Sequence, residues 1–404
     1  METSKVVRKI VVTGNKKTID RVILYELTFK PDDSITEFDL NRSRQNLMNT
    51  DLFSYVDLTA FDIGREGMID VQITVKEKWS IFPLPQFART SDGEVRAGMS
   101  YQDFNFTGRG YHLDINAMNR WANDFNNNLG LFRSARLETR NFMRSRLNIN
   151  GGFSKGKNLE ETYLDGTVVS DYNKNIYTNN ISVAREFGKL RYFEAGGVFS
   201  YSESSYEYLK GIRQSFVSSK IVSLGVFLSY DNVSNLGNYI FEGYRWKLSV
   251  GNPNKLYGSN TNAVVYNVNF SHYILFNEKR VLAYRFKGAA ITGNLSKDIT
   301  TNVGGSTSLR GYKKAEYKGN RSIQMNSEYR FPLTSRYWGG TVFLDGGNAW
   351  ENGSRLKLRD LHWSAGLGLR LYIKRLVNGI GRLDWAYNVS RKEFKIYVGS
   401  NHTF

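Results

Sequence analysis

The sequence has no cysteine, five prolines, four histidines and no long apolar run in 404 residues. Without cysteine there are no disulfides and no thiolate metal sites. No stretch approaches the roughly 18–20 apolar residues of a membrane helix. A membrane β-barrel is still allowed, because its strands alternate lipid-facing and lumen-facing residues and average to polar. The opening METSKVVRKI lacks the apolar core of a secretory leader. It reads as a mature chain with an added Met, or as a protein needing no such signal.

Motifs for catalysis are missing too. There is no HExxH, G-x-S-x-G, G-x-G-x-x-G or P-loop. His112, His272, His362 and His402 stand beside no obvious Ser/Asp pair. The last three lie on amphipathic strands near aromatics and read as interfacial packing. The expectation is a non-enzyme with no cofactor and no metal. Acidic residues are few, 38 Asp and Glu against 55 Lys and Arg. No compact basic patch points to nucleic acid. The surplus reads as contact with anionic lipid, or as a basic lumen that passes polypeptide.

Tyr and Phe (25 each) and Gly (37) are abundant, and they are distributed over two kinds of text. Residues 1–78 are mixed. VVRKIVVTGNKK reads as a strand ending in a Gly14-Asn15 turn. TIDRVILYEL carries Ile19, Val22, Ile23 and Leu27 at helical spacing. SITEFDLNRSRQNLMNTDLF begins with Ser34 and has Glu37 three residues on, a capping-box pattern for a second helix; Ile35, Phe38, Leu47 and Phe53 suit its apolar face. Two alternating strands follow around Gly64–Gly67. The order βααββ gives a small α+β sheet with two helices on one face and edge strands open to a visiting peptide.

From residue 79 to 404 amphipathic strands recur about every 20 residues. In LHWSAGLGLRLYIK, Trp363, Ala365, Leu367, Leu369 and Leu371 oppose Ser364, Gly366, Gly368 and Arg370. Strands of about 9–12 residues suit a tilted bilayer crossing. Short and long connections alternate, and aromatics recur at strand ends as girdles do. A soluble all-β sandwich is the competing reading. The expectation is mainly β: an antiparallel transmembrane barrel of about 16 strands.

A βααββ module followed by a barrel resembles the POTRA-plus-barrel outer-membrane assembly family, BamA-like and TamA-like proteins with two-partner-secretion transporters as cousins. The resemblance covers nearly the whole chain. TDLFSYVDL resembles the module's helix-to-strand passage, and SYQDFNFTGRGYHL a barrel turn with Asn-Phe-x-Gly-x-Gly. SLRGY resembles the V-R-G-F/Y motif of the long sixth extracellular loop, here about 293–321, with Leu309 in place of Val. VFLDGGNAW resembles the F-x-D-x-G strand two positions on. The resemblance implies that Arg310, with Gly311 and Tyr312, folds into the lumen and meets Asp345, with Glu328 as a second partner. Alternation independently groups Glu328 with Gln324 and Asn326, opposite Met325, Tyr329 and Phe331.

The final KEFKIYVGSNHTF sets Phe394, Ile396, Val398 and Phe404 on one face and resembles a bacterial β-signal, with His402 at a usually apolar position. WSIFPLPQFAR carries Pro83 and Pro85, which remove ladder donors. The expected lateral seam therefore involves Trp79, Pro83, Pro85, Gly399 and Phe404, with Gly399 as a kink. The alternative is that the prolines belong to a linker before the first strand.

The function this implies is insertion of unfolded β-rich clients, taken at the POTRA domain, at the seam between first and last strands. The alternative is a polypeptide translocator of the two-partner type; a porin and a barrel hydrolase are further readings. The implied partners are client proteins, the lipid bilayer, and accessory lipoproteins or periplasmic chaperones. The implied location is the outer membrane of a Gram-negative bacterium with the POTRA domain in the periplasm, or an organelle outer membrane.

Overall fold

The computed structural model describes residues 4–404 apart from 65–66, 90–93, 123–126, 143–144, 165–166, 189, 213–217, 237–240, 278, 294–298, 334–336, 352–356, 378 and 401. The N-terminal unit comprises β1 (Lys5–Thr13), α1 (Asp20–Tyr25), β2 (Ser34–Ile35), α2 (Glu37–Asn49), β3 (Phe53–Asp62) and β4 (Met68–Glu77). The sheet order is β2-β1-β4-β3. Alternation along β4 puts Ile69, Val71, Ile73 and Val75 on one face, where they are buried with Ile23 and Leu47 of the helices.

The second helix starts later than the sequence pattern suggests. Thr36 is the N-cap, its hydroxyl serving the backbone of Asp39, and the Asp39 carboxylate accepts from Thr36 N at 3.2 Å. Ser34 is extended and pairs with Val6, and this delays the helix. Phe38 is consequently exposed, and Phe53 opens β3 instead of closing the helix.

Sixteen long strands make the barrel among the described residues. They begin with β5 (Ile81–Arg89), β6 (Val95–Phe106), β7 (Tyr111–Ala122), β8 (Asn127–Phe142), β9 (Leu147–Leu164), β10 (Thr167–Phe187), β11 (Phe193–Gly211) and β12 (Ser219–Asp231). A two-residue segment, β13 (Ser234–Asn235), precedes β14 (Phe241–Pro253), β15 (Ala263–Phe276) and β16 (Arg280–Gly293). The short β17 (Thr301–Val303) and β18 (Tyr317–Gly319) pair with each other inside the long loop. The wall ends with β19 (Arg321–Pro332), β20 (Trp338–Trp350), β21 (His362–Tyr372), β22 (Ile380–Asn388) and β23 (Glu393–Ser400). Strands β8 to β11 have 16, 18, 21 and 19 residues, longer than the 9–12 expected. Their far ends are polar on both faces, as in Lys155–Asn158 and Asn173–Asn175, so the ladder continues in water beyond the apolar band.

The N-terminal unit seats on the turns at one end of the barrel. Ile19 N donates to Gly108 O at 3.0 Å, and Asn105 Nδ2 to Thr18 Oγ1 at 2.9 Å. Gly108 has φ +72°, and a Cβ there would come within 2.1 Å of Lys17 O; this close approach needs glycine. Glu26 pairs with Arg191 at 3.3 Å, and Asn235 N donates to Asn49 Oδ1 at 2.8 Å. Val377, from the β21–β22 turn, joins the N-terminal core.

Candidate functional site

Alternation along three wall strands aims carboxylates inward. Glu328 on β19, Asp345 on β20 and Asp384 on β22 are all fully buried. The long loop returns into the barrel interior and brings Arg310 among them, itself fully buried. Its guanidinium forks onto Asp345, Nε to Oδ2 at 2.7 Å and Nη2 to Oδ1 at 2.8 Å. Nη1 reaches Glu328 Oε1 at 2.8 Å and Asp384 Oδ2 at 3.2 Å. The plane lies over the Phe343 ring, 3.4 Å from its centroid. A planar donor array that meets a carboxylate bidentately fixes orientation as well as position.

The neighbouring motif residues complete the clamp. Gly311 has φ +89°, and its N–H donates to Tyr397 Oη on β23 at 3.0 Å. Tyr397 Oη in turn donates to Tyr312 O at 3.1 Å. Tyr312 is buried and donates to Trp363 O at 3.1 Å. The loop is thereby tied to β19, β20, β21, β22 and β23.

Five arginines share this interior with the three carboxylates: Arg285, Arg310, Arg330, Arg370 and Arg382. Arg370 Nη1 donates to Asp384 Oδ1 at 2.6 Å, and Arg330 Nε to Glu328 Oε2 at 2.8 Å. Sequence reasoning missed Asp384 and the four further arginines. The signal was available in GRLDWAYN, where Arg382 and Asp384 oppose Leu383 and Trp385.

The end of the last strand departs from expectation. Phe404 does not share the outward face of Phe394, Ile396 and Val398. The chain leaves β23 after Ser400 and turns inward. Thr403 Oγ1 accepts from Arg310 Nη1 at 3.0 Å and Arg382 Nη1 at 2.8 Å. Phe404 O accepts from Arg330 Nη2 at 2.8 Å, and Arg285 and Arg330 stand over its ring. The ring packs against the cluster of Tyr273, Val281 and Ala283, its centroid 6.5 Å from that of Tyr273. Interior cations thus draw in a residue whose outward placement rested on alternation alone. Gly399 is no kink: it stays in register with Arg382, and a Cβ would lie 3.2 Å from that guanidinium. It makes room for the side chain.

Pro83 and Pro85 lie inside β5, opposite Tyr101 and Met99 of β6, so they belong to the first strand rather than a linker. In an antiparallel pair alternate residues point their N–H groups to the same edge. An unbroken register with β6 requires the donors of Phe82, Leu84 and Gln86 on that side. The Pro83 and Pro85 nitrogens then face β23 and offer it no hydrogen. β5 and β23 are hydrogen-bonded neighbours that close the ring, but among the described residues they share no extended register of the kind that joins β22 to β23 and β5 to β6. Val398, Phe87 and Phe394 are 83%, 79% and 74% exposed, above any other described large apolar side chain on the barrel strands. Trp79 is not in this seam. Its N–H donates to Arg375 O at 2.8 Å, and its carbonyl accepts from Val377 N at 3.1 Å, which anchors the chain to the β21–β22 turn.

Residues 105–401 match the family model described as the Omp85 superfamily domain, and residues 5–78 the POTRA model described as a surface antigen variable number repeat. The chain is similar to the outer membrane protein assembly factor BamA of Nitratidesulfovibrio vulgaris, 24% identical over 362 residues, covering 80% of this chain and 41% of that protein. It therefore spans about two fifths of that relative's length. Its fold is similar to CdiB from Escherichia coli, with a TM-score of 0.68, 14% identity, and coverage of 99% of this chain and 75% of the other. BamA from Haemophilus ducreyi lacking POTRA domains 1–3 gives a TM-score of 0.54 at 14% identity, covering 98% of this chain and 83% of the other.

Proposed function

The chain belongs to the Omp85 superfamily, and on that premise we propose that it inserts unfolded β-rich clients into the outer membrane at the seam between β5 and β23. Residues 1–78 act as the receiving POTRA domain, on the periplasmic side of a Gram-negative outer membrane. Residues 79–404 act as the barrel, with 293–321 as the loop that clamps it. The activity is non-enzymatic and uses no cofactor; accessory lipoproteins or periplasmic chaperones deliver the clients.

The seam is the observation that carries this reading. A client strand that pairs with an edge released at this weak junction enters the bilayer without exposing bare backbone, which costs several kcal/mol per unsatisfied group. The ladder around the rest of the ring keeps the barrel intact meanwhile. Arg310 and its carboxylates hold the loop against β19, β20 and β22, so the wall beside the opening stays rigid.

Translocation of a polypeptide through the lumen is the second reading, favoured by the CdiB-like fold. The test uses the full chain in lipid vesicles with an unfolded outer-membrane barrel as client. Paired substitutions such as Gln86→Cys with Lys395→Cys lock the seam; the chain has no native cysteine to confuse them. Insertion, read as protease-protected and heat-modifiable client, is expected to stop on oxidation and resume on reduction. A locked protein that still inserts clients overturns the reading, and one that still exports a soluble polypeptide supports translocation.

A further inference from the structure

We propose that the outer wall of β12, β14, β15, β16 and β19 holds one lipid with a net-anionic phosphate headgroup, its acyl chains in an apolar trough and its headgroup on Arg321. Register places two outward rows side by side across these five strands. One is Leu228, Leu248, Val268, Gly288 and Ile323; the other is Val226, Val250, Tyr266, Ala290 and Arg321. Gly288 and Ala290 have almost no side chain, so the wall is recessed between Tyr266, Leu248 and Ile323. The recess has a volume of about 650 Å³ and an almost wholly apolar lining. A Cβ at Gly288 would meet Val268 Cγ1 at 3.0 Å, so even a methyl group intrudes on the floor.

The two ends of the trough differ. Toward the N-terminal domain it ends on the next outward row, Trp246, Phe270 and Phe286. Away from that domain it ends at Arg321, the first residue of β19. Arg321 is exposed and makes no ion pair or side-chain hydrogen bond among the described residues. A free guanidinium at the rim of an apolar trough is complementary to one molecule with both features, an anionic headgroup above acyl chains. Arginine suits phosphate because its planar donors meet the oxygens in pairs. A zwitterionic lipid fills the trough equally well but gains less at the rim. The site is independent of the insertion reading and needs only that the barrel lies in a bilayer.

The test is native mass spectrometry of the full chain in mild detergent, titrated with phosphatidylglycerol or with phosphatidylcholine of identical chains. One phosphatidylglycerol should be retained about fivefold more strongly, since a basic residue near an anionic lipid contributes about 1 kcal/mol. Arg321→Gln should erase that preference yet keep chain binding. Ala290→Phe should weaken retention of both lipids, and Ala290→Leu serves if the larger residue prevents folding; a heat-modifiable gel shift verifies each barrel. Millimolar inorganic phosphate should not displace the lipid. Equal retention of both lipids by the unmodified chain, an unchanged preference in Arg321→Gln, or displacement by phosphate alone overturns the site.

Discussion

Arg310 donates to Thr403 Oγ1 at 3.0 Å across 93 positions of sequence. The arginine that holds the long loop therefore also holds the tail beyond β23. Loop position and tail position share one side chain.

Arg310→Ala should free the loop and leave three buried carboxylates without their common cation. Removing one partner of a buried ion pair typically costs about 3–5 kcal/mol. The barrel ladder is untouched, so heat-modifiability should persist at a lowered transition temperature while loop proteolysis rises and insertion falls. Asp345→Asn should behave similarly, and the double variant should add little. Fully additive losses would show that the two residues do not act as a unit.

Thr403→Val should release the tail, because it removes the acceptor shared by Arg310 and Arg382. Hydrogen bonds to charged groups contribute about 1.5–3 kcal/mol. In a His402→Cys background, a maleimide reagent should label the tail faster once Thr403 is valine. An unchanged labelling rate would mean that the Phe404 contacts alone keep the tail inside.

Pro83→Val with Pro85→Val should restore two donors on the edge of β5 that faces β23. Each new backbone hydrogen bond adds about 0.5–1.5 kcal/mol net. The double variant should need a higher temperature to lose its compact gel form and should insert clients more slowly. A seam that is no tighter with both donors present would remove the prolines from the explanation.

Glu77 gives the N-terminal domain a pH dependence. Burial pushes its carboxyl up, but the Thr18 hydroxyl and the backbone N–H groups of Thr18 and Lys17 outweigh this and hold it below the usual carboxylate range. A lowered folded value stabilises the fold above the unfolded pKa, about 4.3 for Glu. That contribution falls away as pH drops through the folded value. Thermal unfolding of the domain, followed by a reporter in the full chain, should therefore weaken between pH 5 and strong acid. Glu77→Gln should flatten that slope and lower stability at pH 7.

Much of this fold is legible in the sequence because period-2 patterning reports which face of a strand meets lipid. That signal placed Glu328 inside, and the Arg-Gly-Tyr motif pointed to Asp345. It was not applied to the nine-residue strand of Asp384, where Arg382 and Asp384 alternate with Leu383 and Trp385. Phe404 was misplaced for another reason: alternation extrapolates a strand past Ser400 and carries no information on the interior cations that bend the tail. The helix start slipped by two residues because Ser34 pairs with β1, a contact no local pattern contains.

The strands differ in length around the ring, and the bilayer must answer that difference. β23 has eight residues, and β5 and β22 nine each. At ~3.4 Å per residue and a tilt near 45°, eight residues span roughly 19 Å of a hydrocarbon layer about 30 Å thick. Lipids beside the seam must shorten or tilt to match the wall, at a modest cost for each ångström of mismatch. Across the lumen the tall strands β9 to β11 impose no such compression. The hydrophobic path is thus shortest beside the junction of β5 and β23, and on the proposed function a client strand entering there would have the least bilayer to cross.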